Sequence, residues 1–146
     1  MDIIFGHLTL IAAALFTGAA LYVSFAEQPA RLKLDDAALL AEWKPSYKRG
    51  FAMQAPLAFL GFLFGLLAWY DKGEGRFLWS SILMIANWPW TLVFMMPTNN
   101  KLMRLDPLEP DSQTRAIIQK WGTLHAVRTG LGIAATISFF TACTVP

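Results

Sequence analysis

The stretch WPWTLVFMMPTNNKLMRL, Trp88 to Leu105, decides how the rest of the chain is read. It runs apolar as far as Met96, meets Pro97, and then places a hydroxyl and two side-chain amides, Thr98, Asn99 and Asn100, where the chain would be leaving lipid. Amides at that depth need partners, because no water is there to solvate them. The apolar residues before them form a block, with no polar face alternating along it.

Working outward, the same grouping recurs. Apolar blocks cover Ile3–Phe25, Phe51–Tyr70, Phe77–Met96 and Thr123–Cys143, each near the ~20 residues that span a hydrocarbon core of about 30 Å. The chain is 55% hydrophobic over 146 residues, with a mean hydropathy of +0.44, high for a soluble domain of this length. Barrel strands are excluded, since the blocks are continuous and longer than the roughly 9–11 residues a tilted strand needs. Backbone donors in lipid must be paired within their own segment, so helices follow. The expected fold is all-α: an integral membrane four-helix bundle forming one domain over residues 1–146, with helices over 3–25, 51–70, 77–96 and 114–143. The first block lacks a basic leader and a small-residue cleavage site, and it reads as a retained helix.

Basic residues set the expected orientation. Arg31, Lys33, Lys44, Lys48 and Arg49 fall between the first two apolar blocks, and Lys101, Arg104, Arg115 and Lys120 between the last two. The middle connection holds only Lys72 and Arg76, and the tails hold none. Both chain ends are therefore expected outside, the domain is integral to the membrane, and if the cell is bacterial that membrane is the inner one. The net charge of +2 is a topology signal and gives no basic face for nucleic acid. The lipid bilayer is the first partner expected, and self-association of the bundle is left open. Cys143 is the only cysteine, so an intramolecular disulfide and a thiolate metal cluster are excluded.

The connections carry structure of their own. After Asp35 or Asp36, which can cap a helix, Leu39, Leu40 and Trp43 present an apolar face expected to lie at the headgroup level. Pro107 and Pro110 forbid helix in the third connection, and the last helix is expected to begin near Asp111 or Ser112, ahead of the membrane. Gly61 and Gly65 form a GxxxG that favours close helix approach.

Ionisable and amide side chains at the ends of spanning helices are expensive and mark candidate sites. Glu27 lies at the expected end of the first helix, Tyr47 and Gln54 flank the start of the second, and Asn99 and Asn100 follow the third. Trp121, His125 and Arg128 fall at i, i+4 and i+7 on one face of the fourth. All four helices bring polar groups to one depth. His7 lies near the opposite membrane face, roughly 30 Å along the first helix from Glu27, and reads as an interfacial histidine. Asn87, two residues before Pro89, reads as satisfying a carbonyl that the proline frees. No phosphate loop, HExxH, CxxC or nucleophile elbow is present.

In sequence order, FTGAALYVSFAEQPAR (Phe16–Arg31), PWTLVFMMPTNNKL (Pro89–Leu102) and KWGTLHAVRTGLG (Lys120–Gly132) resemble the DUF1772 family of small four-helix membrane proteins, which includes the fungal anthrone oxygenases. The resemblance runs over nearly the whole chain. It falls residue by residue on Glu27, Pro29, Pro97, Thr98, Asn99, Leu102, Trp121, His125 and Arg128. It implies a monooxygenase that converts an anthrone carbon to a quinone carbonyl with O2, with a hydrophobic aromatic small molecule as substrate and no cofactor indicated beyond O2. On that reading His125, whose ordinary pKa of about 6.5 suits proton abstraction near neutral pH, is the base, and Glu27 orients it. Arg128 and Asn99 stabilise the oxyanion. Trp121 and Tyr47 offer flat surfaces to a ring, while Asn100 and Gln54 complete a polar rim. Two other readings stay open: a metal-dependent oxidoreductase with His125, Glu27 and Asn99 around an ion, and a non-enzymatic membrane protein that binds a small molecule or a partner.

Overall fold

Long apolar blocks and the prolines that punctuate them shape the helices. The computed structural model describes residues 4–145; Ile3, the first residue of the first expected helix, lies outside them. Helix α1 spans Ile4–Arg31, α2 Asp36–Lys72, α3 Gly75–Arg104 and α4 Thr114–Thr144, and each is long and apolar enough to cross a membrane. No strand occurs among the described residues. The protein is an all-α membrane four-helix bundle, as its composition requires.

Every helix is longer than its apolar block, and most of the excess lies at one end of the bundle. Pro29 and Pro97 do not stop α1 and α3 near Phe25 and Met96. A proline inside a helix lacks a donor, and its ring strikes the carbonyl four residues back. Here that carbonyl, Phe25 or Val93, sits in a π-helical turn, Val23–Glu27 in α1 and Thr91–Met95 in α3. The wider turn relieves the clash, and five-residue hydrogen bonds, Gln28 N–H to the Val23 carbonyl and Met96 N–H to the Thr91 carbonyl, keep the chain helical. Glu27, Asn99 and Asn100 are thus helix-interior residues. The only positive φ among the described residues is at Gly73.

A second correction concerns Leu39, Leu40 and Trp43. Asp35 caps α2 as expected, accepting from the Ala38 N–H at 2.9 Å, but this segment continues unbroken into the spanning part of α2 through Pro45 and Pro56. Its apolar face is fully buried against Leu102 of α3 and Ile118 and Trp121 of α4. Burying a Leu is worth about 1.5–3 kcal/mol, which a fully packed neighbour secures and a half-wet headgroup layer does not. The bundle therefore extends beyond the apolar blocks at this end, called here the polar end. The opposite end, the turn end, holds the two-residue link between α2 and α3.

The helices form a ring in which each packs on its sequence neighbour and α4 closes back onto α1. Toward the turn end the core is small-residue and aromatic: Ala13, Phe16, Ala58, Phe77, Met84 and Phe139. Gly65 of the GxxxG is needed there, because a Cβ would press on the Ser81 hydroxyl of α3 and lie 2.9 Å from the Phe139 ring of α4.

Candidate functional site

The site begins on α4, where Trp121, His125 and Arg128 share the inward face and are all buried. The π turn in α3 advances by one residue the face that follows it, and Asn99 turns inward while Asn100 turns out to the surface. Asn100 therefore does not line the site. The Trp121 Nε1–H donates to Asn99 Oδ1 at 2.9 Å, tying α4 to α3 and fixing the amide so that Asn99 Nδ2 is left buried without a partner.

His125 stacks on Trp121, with ring centroids 5.0 Å apart and planes 29° from parallel. Its Nδ1 is 3.2 Å from the Ser24 hydroxyl of α1. Ser24 lies 2.8 Å from the Thr129 hydroxyl, which in turn donates to the Ala20 carbonyl at 3.3 Å. Arg128 is only 8% exposed, with its guanidinium 5.5 Å above the Phe16 ring. Its Nε is buried and unpartnered, and no carboxylate pairs with it among the described residues. A buried cation without a counter-ion is costly by several kcal/mol.

These groups surround a cavity of about 20 Å³, enough for a water, lined by Tyr47, Gln54, Asn99, Trp121, His125 and Arg128. Gln54 Oε1 is a further buried acceptor without a partner. The aromatic faces are already partly engaged: Tyr47 stacks on Trp43 at 4.9 Å, and Trp121 on His125. A ring entering the cavity would have to use the remaining faces.

Glu27 is elsewhere. Its carboxylate accepts from the Ser46 hydroxyl and pairs with Arg31 Nη2 at 2.5 Å. Arg31, almost wholly buried, also meets Glu42 at 3.0 Å. This network staples the end of α1 to α2 beside an open cleft of about 640 Å³ that includes Glu27, Glu42 and Arg49 and meets the cavity at Ser46 and Gln54. The expected orienting contact from Glu27 to His125 is made instead by Ser24, which sequence reasoning missed. A lone serine within an apolar block gives no signal of its own. Thr129 was more legible, since it lies one turn beyond His125 on the same face. Among the described residues no three His, Cys, Asp or Glu side chains converge in a way that could hold an ion, so His125, Glu27 and Asn99 form no ready-made cage.

The remaining expectations sort simply. His7 is exposed near the turn end. Asn87 donates to the Met84 carbonyl at 3.1 Å, one residue from the Ile85 carbonyl that Pro89 frees, and its Oδ1 stays unpartnered.

With this geometry in place, comparison with known proteins gives one consistent result. Residues 43–138 match the family model described as anthrone oxygenase, a segment holding every cavity-lining residue named above. A protein of Claviceps purpurea (strain 20.1) described as an anthrone oxygenase is 26% identical over 150 residues, covering 92% of this chain and 86% of its own. No solved structure matches the chain.

Proposed function

The chain belongs to the anthrone oxygenase family, and on that basis we propose that it oxidises the methylene carbon of a polycyclic aromatic ketone of the anthrone type to a carbonyl, using O2. The observation that carries this reading is Arg128, a buried guanidinium without a protein counter-ion, lining the same cavity as His125. Such a pair suits a reaction that removes a proton and leaves an oxyanion.

The chemistry follows from the substrate. Loss of a methylene proton sends the bonding pair into the ring carbonyl, giving an aromatic enolate. His125 Nε2 takes the proton, and Arg128 with the free Asn99 Nδ2–H holds the oxyanion. The electron-rich carbon then bonds to O2. The resulting peroxide anion takes the proton back from His125 to give a hydroperoxide, and loss of the second methylene hydrogen as a proton together with hydroxide, as water, leaves the new carbonyl. One O2 is consumed per quinone, one oxygen atom entering the product and the other leaving as water.

Ser24 and Thr129 position the base. With Thr129 donating to the Ala20 carbonyl, its oxygen accepts from Ser24, and Ser24 accepts from Nδ1–H. That order of donors leaves the Nε2 lone pair free for the substrate. The cavity itself takes only the reacting edge of the ligand, and the ring body needs neighbouring space. The excess of Lys and Arg at the polar end orients it toward the cytoplasm.

The test is direct. Purified protein in detergent, given anthrone and air, should form anthraquinone faster than the spontaneous reaction, with one O2 consumed per quinone. A rate equal to the protein-free control under conditions where the protein is folded would sink the proposal.

A further inference from the structure

The cavity beside His125 has two approaches of opposite character. The cleft between α1 and α2 carries Glu27, Glu42 and Arg49 among apolar residues such as Tyr22, Val23 and Met53. The other approach lies between α2 and α3: a groove of about 430 Å³ lined by Phe51, Ala52, Ala55, Pro56, Phe59 and Trp88. It carries no charge. Phe51, Phe59 and Trp88 are each between 41% and 45% exposed along it, on the apolar part of the bundle surface that faces lipid.

This groove leads inward. Phe51, Ala55 and Trp88 also line a deeper pocket of about 50 Å³, whose floor is Asn87, Thr91 and Arg128. Phe51 and Arg128 in turn line the His125 cavity, so the three spaces share walls in series. The Trp88 indole bridges the groove, its Nε1–H reaching the Ala55 carbonyl at 3.3 Å. A single long hydrogen bond is a light bar, at the weak end of the usual range.

Two buried groups at the floor have no partner. Arg128 Nε is one, and Asn87 Oδ1, on a side chain 1% exposed, is the other. Asn87 Oδ1 is the kind of acceptor Arg128 needs, yet both atoms lack a partner and so do not pair with one another, while Asn87 Nδ2 donates to the Met84 carbonyl. A ligand satisfying both supplies an acceptor oxygen to the guanidinium and a hydroxyl to the amide oxygen.

We propose that the α2–α3 groove is a lateral portal from the bilayer for a flat aromatic ligand carrying a hydroxyl close to its carbonyl, with Trp88 as the gate and Asn87 as the residue that selects the hydroxyl. This rests on the function proposed above and adds the route to the site and the residue that reads the hydroxyl. A polycyclic phenol dissolves in lipid far better than in the charged cleft, so its path from lipid to Arg128 never crosses water.

The test uses binding, which does not require turnover. The probes are 1,8-dihydroxyanthraquinone and unsubstituted 9,10-anthraquinone, titrated into the full-length protein in lipid nanodiscs and followed by quenching of tryptophan fluorescence. Wild type should bind the dihydroxy probe about 10-fold more tightly than the plain quinone, the scale of one well-placed hydrogen bond. Asn87→Leu should bring that ratio close to 1. Because a portal acts on rates and leaves equilibrium affinity alone, association is followed by stopped flow: Ala55→Trp, which fills the groove, should slow association of both probes by at least about 10-fold, whereas Met53→Trp, which narrows the charged cleft, should leave the association rate unchanged. Ala55→Leu serves if the Trp variant fails to fold. Blocking by Met53→Trp with no effect at Ala55, or an unchanged ratio in Asn87→Leu, would overturn the portal. Probe binding with this signature in a protein that leaves anthrone unoxidised would instead overturn the proposed function and leave the portal standing.

Discussion

The two halves of the bundle treat buried polar groups in opposite ways. Toward the turn end, hydroxyls inside the bundle are paired. Thr9 donates to the Gly61 carbonyl at 2.6 Å, Ser80 to Ser138 at 2.6 Å and Ser81 to the Phe77 carbonyl at 2.7 Å, while Thr17 and Thr136 share a bond of 2.9 Å. In the polar half Gln54, Asn99 and Arg128 around the His125 cavity each leave a buried atom unpartnered, as does Asn87 in the pocket beside it, and Gln28, Trp43 and Thr114 do so away from it. Native interiors rarely tolerate such atoms, and a group of them around one cavity marks a place kept for something else. The turn half holds the bundle together, and the polar half spends part of that stability on the site.

Substitutions that separate the halves should separate activity from stability. The largest effect belongs to His125→Ala, which should lower turnover by roughly 10²–10⁴, the range for loss of a positioned base, with the helical circular dichroism unchanged. Arg128→Met should cost roughly 10²–10³ in kcat and at the same time raise the melting temperature, because an unpaired buried charge is replaced by an apolar chain of similar length. A fall in both would mean that Arg128 has a structural partner after all.

Smaller effects sharpen the contrast. Ser24→Ala should reduce kcat about 10-fold and alter the pH–rate profile, since the imidazole loses the contact that fixes its tautomer; a purely structural serine would change stability and leave the profile alone. Gly65→Val, in the turn half, should destabilise by about 1–3 kcal/mol through crowding of Ser81 and Phe139, while activity per folded molecule stays at the wild-type level. Asn100→Ala, on the exposed side of α3, should change neither quantity.

Much of this arrangement was legible from residue types alone. The four apolar blocks give the helices, and the spacing of Trp121, His125 and Arg128 gives the inward face of α4. What resisted reading was the consequence of Pro29 and Pro97. Each reads locally as a stop, yet a π turn lets the helix continue, and that turn decides that Asn99 faces in and Asn100 faces out. Leu39, Leu40 and Trp43 misled for a related reason: an amphipathic face reports that something covers it, and a headgroup layer or two neighbouring helices satisfy the same pattern. Glu27 was singled out by its charge. Its actual neighbours, Arg31 and Ser46, are near it in space through the packing of α1 on α2, which no local spacing encodes.

The account turns on His125 removing a proton from carbon, and that step can be observed with oxygen left out. Anthrone incubated with purified protein in D2O under anaerobic conditions, and followed by proton NMR, reports exchange of its methylene hydrogens. The account predicts exchange well above the protein-free rate in wild type and a return to that rate in His125→Ala. Equal exchange in the two proteins, or wild-type oxidation of anthrone in air with no anaerobic exchange above background, would contradict it.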